Sequence, residues 1–271
     1  MPPHCRANQN SSAEGEEEVE EVRRINRELR RNLILETALI AFALGALTVA
    51  SVVLVVYGWR AHQDELFALG MYLLVTQLAF HIFEFLAAAL TRPHDTHPDA
   101  FMVLHSTPYL VASGTALLEF LLEVYAVPEA LKVAPHHHPI LGLLFRVNRA
   151  STLLFSVLVA VFYGIRVVSM LQCGANFSLI IEHERRSSHK LVTHGLYRYL
   201  RHPAYFGWFW RTCCAQLILA NPISAVAHAG VTWYFFRSRI AYEEATLQRA
   251  DYFGDTYTRY KERTIVGIPF L

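Results

Sequence analysis

The stretch "HKLVTHGLYRYLRHPAY" (189–205) places three imidazoles, three cationic side chains and three phenols within seventeen residues. His202-Pro203 stands where this polar run gives way to an apolar one. A proline at the first helical position costs nothing, because the N–H it lacks would go unpaired there anyway. The exposed N–H groups and dipole of such a helix start favour a carboxylate or another electron-rich group. Pro203 and Gly207 bracket an aromatic pair, which fits a binding site. A second reading of the same residues has Arg198 and Arg201 snorkelling to lipid headgroups, with Tyr197, Tyr199 and Tyr205 as an interfacial belt.

Another polar cluster follows downstream in "FFRSRIAYEEATL", where Arg237, Arg239, Glu243 and Glu244 succeed an apolar run. Arg239 and Glu243, four apart, share one helix face. An exposed pair of that kind contributes only about 0–1 kcal/mol. At the edge of a membrane cavity it would be partly desolvated, and the guanidinium would offer a two-pronged donor to a carboxylate.

The elements that must position these residues are apolar and long. Of 271 residues 54% are hydrophobic, and the mean hydropathy is +0.26. The apolar residues fall in blocks, at 32–59, 66–90, 101–127 and 150–172, each reaching the roughly 20 residues that a bilayer-crossing helix requires. Two shorter blocks, 205–220 and 223–236, meet at Asn221-Pro222 and predict a helical hairpin. The expected fold is an all-α integral membrane protein of about six transmembrane helices, the last two forming that hairpin. Its expected parts are a tail over 1–31, membrane helices over 32–172, and a C-terminal region over 173–271 with the hairpin at 205–240.

Basic residues cluster before the first block (Arg23, Arg24, Arg27, Arg30, Arg31), in 173–204, and after the hairpin. This bias places both termini and both polar clusters on the cytosolic side, where the clusters can meet. The opening residues are polar and predict no cleaved signal segment. The tract 11–31 mixes acids and bases at helical spacing and reads as a solvated helix or tail. The net charge of +1 says nothing about partners, and no nucleic-acid partner is expected. None of the four cysteines forms a C-x-x-C pair, so neither a disulfide frame nor a zinc site is expected. His94 and His97 fall on the opposite membrane side from His136, His137 and His138, which rules out one shared metal. Inside the apolar blocks, His81, Glu84, Glu119 and Glu123 are expected to face the bundle interior and to pair with Arg149, Arg166 or Arg211.

In order and spacing, "LVTHGLYRYLRHPAYFGWF", "NPI", "FFRSRIAYEEATL", "YFGDTYTRYKERT" and "GIPF" together resemble the isoprenylcysteine carboxyl methyltransferase family. The resemblance covers residues 170–270. Upstream it rests on hydropathy and on "FHIFEFL" and "LEFLLE", with fewer leading spans than the mammalian members have. R-H-P-x-Y-x-G alone also marks phospholipid methyltransferases and, degenerately, NADPH-using sterol reductases; the E-E after R-x-R and the closing GIPF favour the prenylcysteine enzymes. The resemblance implies S-adenosylmethionine bound on the cytosolic side by His189, Lys190, Leu191, Val192, Tyr197, His202, Pro203, Ala204 and Tyr205. Glu182 stands where relatives carry glutamine and is included as a departure from the pattern. Arg239 and Glu243 match the residues at the substrate end. Also implied are prenylated C-termini of processed CaaX proteins such as small GTPases as substrates, no metal, and a multi-pass location in the endoplasmic reticulum membrane.

A prenylcysteine carboxylate has a pKa of about 3.5 and is ionised at neutral pH, so the chemistry asks for orientation and dehydration rather than a base. The aromatic residues Phe206, Trp208, Phe209 and Trp210 of the hairpin would wall a lipid-facing route or pack against lipid. Two rival functions remain open at this point: methyl transfer to another lipid-borne acceptor such as a headgroup amine, and a receptor or transporter working through His81, Glu84 and Glu119.

Overall fold

The computed structural model describes residues 4–77, 82–91, 107–126, 146–177, 181, 184–185, 187 and 189–271. The elements are α1 His4–Arg60, α2 Asp64–Gln77, α3 Phe83–Thr91, α4 Thr107–Tyr125, α5 Arg149–Cys173, α6 Pro203–Ile218, α7 Pro222–Leu247 and α8 Asp255–Lys261. No strand occurs among the described residues, and one isolated parallel bridge joins Leu200 to Ile265. Contacts divide the chain into a unit over Met1–Gly45 and another over Ala46–Leu271.

In the first unit, Ile34, Leu39 and Phe42 are exposed on α1. A bilayer would cover such a run of apolar side chains. Two helical stretches, Glu28–Arg60 and Arg149–Asn176, are long and apolar enough to cross a membrane. Ser51 and Thr212 in the apolar helices turn onto their own backbone: Ser51 Oγ donates to Leu47 O at 2.7 Å and Thr212 Oγ1 to Trp208 O at 2.9 Å. With no water to serve it, a hydroxyl in such surroundings gains by bonding a carbonyl of its own helix.

The second unit is organised around the α6–α7 hairpin packed on α5. Pro203 opens α6 and Pro222 opens α7, both at a first turn. Gly207 lets α6 press onto α5, since a Cβ there would lie 2.5 Å from the Phe162 carbonyl oxygen. Ala68 and Tyr72 of α2, Phe120 of α4, Phe155 and Val159 of α5, and Ala215 and Ile218 of α6 form one core. Phe209, Phe236 and Ile240 of the hairpin form a second, closed by Val266 and Ile268 of the C-terminal segment. That segment is tied down by indole N–H groups, Trp210 donating to Gly267 O at 3.0 Å and Trp233 to Pro269 O at 2.8 Å. Gly267 adopts φ +77° with Phe206 against its α-carbon, a position only glycine takes without strain. Phe206, Trp208, Phe209 and Trp210 are therefore used in internal packing: Phe206 meets Phe162, and Trp208 lies under the Arg166 guanidinium at 4.4 Å.

The acidic residues in the apolar blocks separate by partner. Glu84 forms a two-point pair with Arg166, both 2% exposed, and Arg166 Nη1 also donates to Ala204 O at 3.3 Å. Arg149 instead pairs with Asp64 at the start of α2, at 2.8 Å, and lies over Trp59. Glu119 does something the hydropathy pattern does not announce. Its two oxygens accept the N–H groups of Ile223 and Ser224 at 2.9 and 2.7 Å, satisfying donors that α7 leaves unpaired at its first turn. His81, His94, His97 and His136 to His138 lie outside the described residues.

Removing one member of a buried ion pair strands the other, at about 3–5 kcal/mol. Glu84→Ala should accordingly lower the melting temperature in detergent sharply, while Glu84→Leu with Arg166→Met recovers most of the loss. Equal melting of Glu84→Ala and wild type would show that the pair carries no stability.

Candidate active site

At one end of the hairpin the two polar segments enclose a half-open cleft. Its wall starts from the end of α5. Asn176 Oδ1 accepts the Lys190 N–H at 3.0 Å, and Gln172 Oε1 accepts the Leu196 N–H at 2.9 Å. These bonds hold 189–196, which forms no helix before the 3₁₀ turn Gly195–Arg198, alongside the helix end. Tyr260 donates to Tyr197 O at 2.7 Å, and Arg201 N–H to Ile265 O at 3.0 Å, so the C-terminal segment clasps the same wall.

Of the residues expected at the cofactor, His189, Lys190, Leu191, Val192, Tyr197, His202, Pro203, Ala204 and Tyr205 all line this one cleft, and so does Glu243. Glu182 lies outside the described residues. Arg239 stands at its edge: Nε donates to the Tyr205 hydroxyl at 2.8 Å, and that hydroxyl donates to Glu243 Oε2 at 2.7 Å. Tyr205 also stacks on His202, with centroids 5.3 Å apart and planes within 7°.

The junction beneath the cleft is Glu244, which spacing alone did not single out. Arg201 Nε reaches its Oε1 at 2.5 Å, His202 Nε2 the same oxygen at 3.2 Å, and Lys261 Nζ its Oε2 at 2.6 Å. Arg201 Nη1 further donates to Thr264 O at 2.7 Å. Glu244 lies beyond the apolar 223–236 stretch and is buried. Burial alone would raise its pKa, but hydrogen bonds from His202, Lys261 and Arg201 outweigh it and hold the carboxyl at about 2, against an ordinary 4.5. Tyr252 and Phe253 were also missed; they close the mouth, Tyr252 bonding His189 Nδ1 at 2.9 Å, with Arg185 donating to Tyr252 O at 2.8 Å. Burial pushes the phenols of Tyr197, Tyr257 and Tyr260 well above their usual range, so they stay neutral and serve as ring faces and donors. Among the described residues no cluster of three or more His, Cys, Asp or Glu side chains is placed to hold a metal.

Two helices long and apolar enough to cross a membrane, with a cleft built from polar segments at one end of a hairpin, fit an all-helical membrane protein with a polar site at its edge. Residues 150–249 match the model of the isoprenylcysteine carboxyl methyltransferase (ICMT) family. The chain is 31% identical over 244 residues to the protein-S-isoprenylcysteine O-methyltransferase of Saccharomyces cerevisiae, covering 90% of this chain and 95% of that one. To the proteins of that name from Tribolium castaneum and Homo sapiens it is 36% and 34% identical, over 74% and 71% of this chain. It spans 66% and 62% of those two relatives' own length. The solved eukaryotic intramembrane Ras methyltransferase ICMT superposes with a TM-score of 0.71 at 31% identity, covering 84% of this chain and 75% of that one. The chain belongs to the isoprenylcysteine carboxyl methyltransferase family.

The depressed pKa of Glu244 has a stability consequence of definite sign. Above about pH 4.5 the carboxylate is ionised whether folded or not, and its contribution is complete; as pH falls toward about 2 the unfolded chain takes the proton first and the contribution is lost. Glu244→Gln should lower the melting temperature at neutral pH and flatten the fall of stability over that acid window. A variant whose acid profile parallels that of wild type would refute the junction.

Proposed function

We propose that this chain transfers a methyl group from S-adenosylmethionine to the α-carboxylate of a C-terminal prenylated cysteine, giving the methyl ester. The observation that carries the reading is the single cleft lined by His189–Val192, Tyr197 and His202–Tyr205, with Arg239 bonded to its rim through Tyr205. The relatives' printed names, protein-S-isoprenylcysteine O-methyltransferase, support it.

The cleft suits the methyl donor. It is polar at the 189–192 backbone and walled by aromatic rings, those of Tyr197, Tyr205, Tyr252 and Phe253 among them. His189, Lys190, Leu191, Val192, Tyr197 and the His202–Tyr205 run would hold the cofactor, and Glu182 is assigned to it on the family pattern alone. When bound, S-adenosylmethionine supplies an electrophilic methyl on its sulfonium.

The acceptor carboxylate arrives ionised, with a pKa of about 3.5, and needs no base. Arg239 grips one of its oxygens, replacing the water it sheds, and leaves the other to attack in line. Glu243 stabilises Arg239 in that position. The prenyl chain stays in the bilayer, where each CH₂ removed from water contributes about 0.8 kcal/mol.

For topology, we read six crossings: α1, α2 with α3, α4, α5, α6 and α7. The 26 residues of α7 span about 39 Å and the 16 of α6 about 24 Å at 1.5 Å per residue. Residues 1–31 form a cytosolic tail, 32–172 the membrane helices, and 173–271 the catalytic region with its hairpin at 205–240. Both termini face the cytosol, and the membrane is that of the endoplasmic reticulum. Prenylated CaaX proteins, small GTPases among them, are the partners.

The test is methylation of acetyl-farnesylcysteine with labelled donor. Activity should be present in wild type, flat between pH 6 and 8, and reduced at least tenfold by Arg239→Lys, since a point charge cannot replace a planar fork. Donor binding without turnover would transfer the reading to another lipid-borne acceptor, and no donor binding would end it.

A further inference from the structure

The ring of Tyr205 faces the donor cleft, but its hydroxyl is engaged elsewhere. A phenol has one proton to give and lone pairs to receive with. A carboxylate only accepts, so the proton of Tyr205 goes to Glu243 Oε2 at 2.7 Å. A guanidinium only donates, so Arg239 Nε gives its hydrogen to the phenol oxygen at 2.8 Å. The order Arg239 to Tyr205 to Glu243 therefore has one direction and no alternative. Nor is the hydroxyl free to swing. The ring is held between His202, at 5.3 Å and nearly parallel, and the buried ring of Phe236, at 4.9 Å and 30°. His202 is fixed in turn by Glu244 at 3.2 Å, and Arg239 Cζ lies 5.6 Å from the centre of the Tyr205 ring.

We propose that Tyr205 is an acceptor-side positioning residue: through its hydroxyl it sets the plane of the Arg239 guanidinium, and through its ring it ties that plane to the wall of the donor cleft. This rests on the function proposed above and deepens it. The family pattern assigns Tyr205 to the cofactor; the hydrogen bonds give its hydroxyl to the other substrate. One side chain thereby fixes the distance between the group that holds the carboxylate and the pocket that holds the methyl, and that separation decides whether an in-line transfer is productive.

Tyr205→Phe removes only the hydroxyl and keeps both ring contacts. In the full-length protein, affinity for S-adenosylmethionine, read by direct calorimetric titration, should stay within about twofold. With the donor saturating, kcat/KM for acetyl-farnesylcysteine should fall about ten- to a hundredfold, the range expected for losing a hydrogen bond to charged groups. Adding Arg239→Lys should cost less than the product of the two single losses, because both act through one guanidinium. Glu243→Gln should change the same acceptor parameter, since its carboxylate takes the Tyr205 proton. Donor affinity falling in step with turnover, unchanged acceptor kinetics, or independent losses in the double variant would each overturn the assignment. A wild-type protein that binds donor yet leaves acetyl-farnesylcysteine untouched would instead overturn the proposed function.

Discussion

One carboxylate organises the polar end of this molecule. Glu244 is approached by Arg201, His202 and Lys261, which come from the turn before α6 and from the end of α8. Each of these would be costly to bury alone, and so would Glu244; together they satisfy one another, with Arg201 also closing on Thr264 O. The position of His202 follows from that junction. The stacking of Tyr205 on His202 follows next, and through the Tyr205 hydroxyl so do the places of Arg239 and Glu243.

A second constraint comes from the surroundings of the helices. Apolar helices can dock without strain only where polar groups are paired and backbones can approach. The Glu84–Arg166 pair meets the first condition and reaches Ala204 O at the start of α6. Gly207 meets the second, one turn further along, by removing the Cβ that would strike α5. The floor of the cleft is thus supported from inside the apolar core, while its walls are supported by Glu244 from the polar side. Glu119 performs the matching task at the far turn of the hairpin, where the first N–H groups of α7 find its carboxylate.

Much of the site was legible in the sequence because most of the cleft lining is local. His189 to Val192, Tyr197 and His202 to Tyr205 lie in one contiguous stretch, and Gln172 and Asn176 need only fold that stretch back on α5 to make a wall. Arg239 and Glu243 were legible as neighbours on one helix face. Glu244 was visible in the E-E pair but not as a junction, since its partners stand 43, 42 and 17 residues away in the chain. Tyr252 and Phe253 carried no signal of their own, as aromatics after a helix end are common and only the fold turns them over the cleft mouth.

Apolar blocks of bilayer length, a prolyl helix start beside basic and aromatic residues, and an ordered series of motifs determined by themselves the class of this protein, its family and the contiguous part of its cleft. Hydropathy and local spacing act over a few residues and are written directly in the chain. Which acid meets which base was decided only by the tertiary structure: Glu84 with Arg166, Asp64 with Arg149, Glu244 with Arg201, His202 and Lys261. The same is true of the Tyr205 hydroxyl, whose direction depends on two residues from another helix. Such pairings are set by the packing of distant elements, where the cost of a buried unpaired charge selects one arrangement among many that the sequence alone would allow.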